Sequence, residues 1–307
     1  MTDTEDILRP LSRRELVDLQ NLYFEKSPLE LPYYFIIKNQ LTWDDKINQV
    51  GQKVDSRCLS VRAYLKFYTP RCGNPKETGT FVAITSDEDP TIYFHTLQEH
   101  HSQLLKYLSE TRYINFSCSP VFACVSDNHI PVLDALLEKV NCIGEELSDC
   151  SYYMMTNEKA LQQSYEVPND VIMKQLVPSN STLMNERWPH RYPNSEKYIE
   201  LLIQLNGGLG LFDRDNDEIV GWVLKNEFAG VGHLQIMPNY RQKGYGMILA
   251  KAMTKKIALE DGGIVNAFIV DKNTNSRLLF GKLGYELIAG SNWIRANFTQ
   301  KSNEANI

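Results

Sequence analysis

The stretch Leu234–Gly246, reading Leu-Gln-Ile-Met-Pro-Asn-Tyr-Arg-Gln-Lys-Gly-Tyr-Gly, is where residue types and spacing come closest to a chemical device. An apolar, strand-like run ends at Pro238, a short basic loop carries glycines at 244 and 246, and a helix-like pattern starts at once. The first amides of a helix have no partner within it, and the helix dipole adds positive character there. Glycines at 244 and 246 remove the Cβ atoms that would hold an anion away from those amides. Such a turn suits a diphosphate. Glycines alone mark many plain strand-to-helix turns, so the surrounding charge matters more. Over Arg241–Lys282 eight Lys and Arg oppose three carboxylates, a net +5 inside a chain of net −6, as expected around a ligand with several phosphates. The loop has neither the GxxxxGK[ST] spacing of a P-loop nor the GxGxxG of a dinucleotide fold.

The elements that must hold this loop follow from periodicity. Ser12-Arg13-Arg14-Glu15 has capping-box spacing, and Leu16, Leu19, Leu22 and Tyr23 continue it as an amphipathic helix. Strands are predicted at Tyr33–Ile37, Ser60–Tyr68, Gly79–Thr85, Thr91–Thr96, Val121–Val125 and Tyr152–Met155, with helices near Gln98–Ser109 and Ile130–Val140. Periodicity lapses over Leu161–Asp170, which sets expected domains of 1–165 and 166–300. Beyond it come a helix at Ser195–Leu205 and a hairpin of Leu209–Phe212 with Ile219–Lys225. A strand at Gly232–Met237 and the helix Tyr245–Leu259 bracket the loop. Ile264–Val270 is a strand, Ser276–Leu283 a helix, and Tyr285–Ile288 and Asn292–Ala296 closing strands. The fold class is α/β with a mixed sheet, in two domains, as 307 residues allow.

Bulk properties exclude several functions. With 43% hydrophobic and 23% charged residues the composition is that of an ordinary globular protein. The net charge of −6 argues against nucleic acid as main partner, and no apolar run suits a membrane helix. Met1–Asp6 is acidic and polar, unlike the basic start of a secretory signal. Six scattered cysteines, Cys58, Cys72, Cys118, Cys124, Cys142 and Cys150, read as free thiols in a reducing cytoplasm, with a mitochondrial location also compatible. No metal site is expected. Asp213–Asp217 resembles a calcium loop, but Glu218 and Leu224 stand where Gly and Glu belong, so a hairpin turn is expected. His100 and His101 lack ligand partners and are expected on an exposed helix; Trp188, Trp222 and Trp293 fit a core or a substrate wall; no GxSxG elbow supports hydrolase chemistry.

On these residues the chain resembles the GNAT acyltransferase superfamily. Arg241-Gln242-Lys243-Gly244-Tyr245-Gly246 is similar to its [RQ]xxGx[GA] coenzyme A loop, and Asn273–Tyr285 looks like its second motif, NxxAxxLYxKxGF. From Trp188 through Gly221-Trp222 to Gly246 the chain looks most like the glycine N-acyltransferase family. The N-terminal half resembles that family's degenerate GNAT-like copy more faintly.

The resemblance implies a splayed strand pair at Leu234–Met237 and Val265–Val270 that takes the pantetheine arm of an acyl-coenzyme A. Backbone groups near Leu234 and Ile236 would pair with the arm, and the amides of Gln242–Gly246 would hold the diphosphate. Asn273 and Phe280 would approach the thiol end. It implies direct attack by the amine of a small acceptor, such as glycine or another amino acid, on the thioester. A backbone N–H near Leu234 would steady the oxyanion. The chain departs from the pattern twice. Gly230 or Gly232 stands where many relatives carry a Glu or His base, and Phe280 replaces the tyrosine acid. Glu227 and His233 are the nearest replacements. A weakly active or inactive acyl-coenzyme A-binding protein, or a protein N-acetyltransferase, are the alternatives.

Overall fold

The computed structural model describes residues 5–50, 65–85 and 90–299. Chain order begins β1 (Leu8–Pro10), α1 (Arg13–Glu25), α2 (Leu31–Val50), β2 (Leu65–Pro70), α3 (Pro75–Thr78), β3 (Phe81–Thr85) and β4 (Thr91–His95). It continues α4 (Ser102–Glu110), β5 (Val121–Val125), α5 (Ile130–Lys139), β6 (Cys142–Met155), α6 (Asn157–Leu161), β7 (Val171–Gln175), α7 (Ser181–Arg187) and α8 (Ser195–Leu205). The remainder is β8 (Gly208–Asp213), β9 (Ile219–Lys225), β10 (Val231–Ile236), α9 (Tyr245–Asp261), β11 (Val265–Val270), α10 (Thr274–Leu283) and β12 (Glu286–Phe298). The class is the expected mixed α/β.

Two sheets result, of order β1-β2-β3-β4-β5-β12-β6-β11 and β10-β9-β8-β7. The halves exchange strands. β12, from the end of the chain, lies between β5 and β6, while β6 lies between β12 and β11. β6 and β12 pair antiparallel from Glu286↔Met154 to Phe298↔Cys142. This pairing explains why β6 starts ten residues before the expected Tyr152–Met155. Its first part, including Ile143, Glu145 and Glu146, is exposed on the face of the sheet, so a backbone ladder rather than burial makes it a strand. The two expected closing strands are likewise one strand.

The capping box at Ser12 forms, with Ser12 Oγ accepting from the Glu15 amide and Glu15 reaching back to the Ser12 amide. Tyr33–Ile37, expected as a strand, is helical within α2. Tyr33, Phe35, Ile36 and Ile37 are all buried there, so contacts on several sides override the β preference of the run. Of the expected strand Ser60–Tyr68, residues 60–64 lie outside the described residues, as do Met1–Thr4 and Cys58. The other five cysteines are free, and three of them are buried. No helix among the described residues is long and apolar enough to cross a membrane.

Beside two clusters that mix residues of both halves, each half has an apolar core of its own. α4 and α5 cover one, with Leu104, Leu108, Leu133 and Leu136, and α9 covers the other, with Leu249, Met253 and Ile257. They are tied where α2 meets the end of α8. Trp43 Nε1 donates to Asn206 Oδ1 at 2.6 Å, and Asn206 Nδ2 donates to Asn39 Oδ1 at 3.0 Å and Asn226 O at 2.8 Å. Every polar atom of that buried amide thus has a partner, which is what makes its burial tolerable.

Candidate functional site

Three local features build the site. The first is the turn between β9 and β10. Asn226 Oδ1 accepts the amides of Phe228 and Gly230, and Ala229 takes a positive φ of 51°. This tight Asx turn leaves Glu227 at its tip, where its Oε2 accepts from the Tyr198 hydroxyl at 2.5 Å.

The second feature is a β-bulge. β10 pairs with β9 at Gly232↔Leu224 and again at Gln235↔Trp222, so His233 and Leu234 together face one residue. His233 carries the strain of the bulge at φ 52°. A bulge leaves the extra residue outside the ladder and re-aims its side chain. The His233 ring lies 5.0 Å from Trp188 and 5.9 Å from Tyr198, centroid to centroid. Burial, with His190 close by, lowers the His233 pKa to about 4, so the imidazole is neutral at pH 7. Burial followed by the Glu227 carboxylate pushes Tyr198 well above the usual phenol value, so Tyr198 keeps its proton.

The third feature is the loop after β10. A 3-10 turn at Pro238–Tyr240 feeds Gln242 at φ 63° and Gly244 at φ 82°, and α9 starts with no side-chain cap. Among the described residues no carbonyl or side chain accepts the amides of residues 242–246. A Cβ at Gly244 would meet nothing within 4 Å, so the space before these amides is open. Arg241, Gln242 and Lys243 are exposed around it. Tyr245 is buried and anchors the helix start by donating to Asp170 Oδ2. Arg241 Nε donates to Ile236 O at 3.1 Å, which occupies one of the strand carbonyls expected to be available.

β10 and β11 belong to different sheets and share no ladder. They approach at Gly230, whose absent Cβ would stand 2.3 Å from Asn266 Oδ1, and diverge beyond it. A Glu or His side chain at Gly230 has no room, and at Gly232 it would press on Asn226, 3.0 Å away. The divergence opens a cavity of about 180 Å³, lined by Leu234, Gln235, Ile269, Asn273 and Phe280 among others. Asn273 caps α10 by accepting from the Ser276 amide at 3.0 Å, and Phe280 packs 5.0 Å from Tyr285.

A second cavity of about 460 Å³ lies on the other side of the bulge. The two share Trp188, His190, Gly232, His233, Phe268 and Val270 as lining. His233 therefore stands at their junction, and Glu227 faces the larger one. Of the candidates read from the sequence, Leu234, Asn273, Phe280 and His233 line the gap, His233 and Glu227 the chamber, and Arg241–Gly246 form the loop, while Ile236 lines neither cavity. Sequence reasoning missed Tyr198, which the hydroxyl bond to Glu227 brings in. Its position one turn inside α8 carried only the signal of a core residue. Of the three tryptophans set aside, Trp222 is core and edges the smaller cavity, Trp188 lines both cavities and Trp293 the larger. His100 is exposed, whereas half-buried His101 stacks on buried His129 at 4.7 Å, and both precede α4 rather than lying in it.

Comparison with known proteins gives this geometry its class. Residues 208–294 match the family described as FR47-like protein, and residues 7–136 match a domain of unknown function (DUF5645). A Drosophila protein of known X-ray structure is 26% identical, with 95% of this chain and 99% of that one covered, at a TM-score of 0.88. A tandem GNAT protein from the clavulanic acid biosynthesis pathway, 10% identical, covers 97% and 100% at 0.57. A putative acetyltransferase from Pyrococcus horikoshii, also 10% identical, covers 97% and 92% at 0.51. No curated protein sequence matches the chain. The molecule has the GNAT fold, in the two-domain arrangement of a tandem GNAT protein.

Proposed function

We propose that the protein is an acyl-coenzyme A-dependent N-acyltransferase acting on the amine of a small acceptor. The observation that carries this reading is the run of unpartnered amides at Gln242–Gly246, opened by Gly244 in the loop that joins β10 to α9. Amides and dipole suit a diphosphate, and the gap beside β10 runs along Leu234, Gln235 and Asn273 to the His233 junction. Leu234, Ile236, Asn273 and Phe280 would flank the pantetheine arm, with Arg241 and Lys243 adding charge outside. We take residues 166–300 as the catalytic unit and 1–165 as a GNAT-like copy that has lost such a loop.

The acyl-coenzyme A supplies an activated carbonyl, and the chain's residues do the rest. Glu227, at the chamber wall, accepts the proton that an ammonium must lose before it can attack. Tyr198 holds that carboxylate in place. His233, neutral and at the junction, orients the amine or relays its proton. Backbone N–H groups freed by the bulge steady the oxyanion. With Phe280 in the place of the tyrosine acid, the leaving thiolate takes its proton from water or from the relay. A coenzyme A thiol is acidic enough to leave with modest help.

The narrower likeness to glycine N-acyltransferases rests on the sequence from Trp188 to Gly246. Phe280 supports a second reading, a protein that binds acyl-coenzyme A without turnover. Incubation with acetyl- or benzoyl-coenzyme A and a panel of amines separates the two. Thiol release above background is expected; tight binding with no release from any pair supports the second reading instead.

A further inference from the structure

The larger cavity is not a property of the C-terminal half alone. Its wall includes Trp43 from α2 and Tyr93 from β4, both in the N-terminal half, and Trp293 from the exchanged strand β12. Trp188, Tyr198 and Phe268 complete an aromatic lining around the junction with the gap. These rings are mutually braced. Phe268 meets Trp293 edge-on at 5.3 Å, Trp188 lies 6.0 Å from Tyr198, and the Trp43 N–H is already bonded to Asn206. Trp43 therefore offers carbon surface, not a donor, to whatever enters.

At about 460 Å³ the chamber is the size of sites that enclose drug-like molecules, roughly 300–1,000 Å³. Glycine has no side chain to bury against such a wall. An aromatic ring does, and stacked or edge-on contacts with braced rings add to its burial. The carboxylate Glu227 on the same wall places the amine end toward His233 and the junction.

We infer that the acceptor is a primary amine carried on an aromatic body, and that the N-terminal half serves as the wall that selects it. This rests on the acyltransferase reading above. The test compares members with and without a ring: ethylamine with 2-phenylethylamine, and glycine with phenylalanine, which adds a benzyl group. Turnover with acetyl-coenzyme A and direct binding by calorimetry are both read. The ringed member of each pair is expected to be favoured by about 10- to 100-fold, the worth of burying one ring. Trp43→Ala is expected to shrink that preference by about 10-fold through KM, with acetyl-coenzyme A affinity unchanged. If that variant does not fold, Trp293→Ala on the exchanged strand reads the same wall. Equal or better use and binding of ethylamine and glycine, with acetyl-coenzyme A still bound, overturns the inference alone. Failure of the wild-type protein to bind acetyl-coenzyme A overturns the acyltransferase reading itself.

Discussion

The two halves of the molecule each contain a place where neighbouring parallel strands part, and they treat it in opposite ways. In the N-terminal half, β4 and β5 pair only at Thr91↔Val121 and Ile92↔Phe122. Beyond these residues Tyr33 spans both strands, stacked on His95 at 3.9 Å with its hydroxyl donating to Cys124 O at 3.1 Å. Glu30 meets His95 Nε2 at 2.6 Å, and His129 packs 4.6 Å from the His95 ring. In the C-terminal half, the corresponding divergence of β10 and β11 opens a cavity. The loops differ in the same sense. Leu97–His101, leading into α4, has no glycine and carries Glu99, whereas Arg241–Gly246 has two glycines and two cations. One backbone arrangement thus gives a filled core or an open site, and a handful of side chains decides which.

The largest effect expected concerns the open loop. Gly244→Glu adds a carboxylate to the amide cradle at a φ of 82°. An added Cβ meets nothing within 4 Å, the positive φ costs some backbone strain, and the carboxylate repels a diphosphate, so acetyl-coenzyme A affinity should fall by more than about 1,000-fold. Circular dichroism should show the fold retained; unchanged affinity would mean that the loop is misassigned. Tyr33→Ala empties the filled divergence. Loss of a buried ring should cost about 3 kcal/mol in urea unfolding, without creating a second thioester site, because no glycine loop stands beside it. A second bound thioester in this variant would erase the distinction between the halves.

Glu227→Gln removes the proposed proton acceptor while keeping its shape and the Tyr198 contact. A fall in kcat of about 100-fold with acetyl-coenzyme A binding unchanged is expected, and full activity would remove Glu227 from the chemistry. The effect smallest per residue is on stability against pH. Burial holds His129 down to about 3 and His233 to about 4, with His95 also lowered, from an ordinary 6.5. The folded state therefore binds fewer protons than the unfolded one. Stability is complete above about pH 6.5 and declines as pH falls toward 3–4, by up to about 1.4 kcal/mol per unit for each such residue. Urea midpoints at pH 7.5 and 5.5 measure it, and His129→Gln should flatten the slope.

What could be read from the sequence was local. The Arg241–Gly246 loop, α8, α9 and the β8–β9 hairpin all announce themselves within a dozen residues, through glycine placement, apolar stripes and a polar turn. The exchanged strands could not be read that way, because β12 finds β5 and β6 across more than a hundred residues of chain. Nor could the chamber, whose wall joins Trp43, Tyr93, Tyr198 and Trp293. Each of those side chains looks like ordinary core in its own segment. The strand expected at Tyr33–Ile37 failed for a related reason: its β-forming side chains are buried on several sides of a helix, so preference lost to packing.

The central proposal is that, among the described residues, the C-terminal half alone presents an amide cradle that binds a thioester carrier. Calorimetric titration of the wild-type protein with acetyl-coenzyme A tests it most directly. One molecule bound per chain is predicted. Two per chain, or none, would contradict the account.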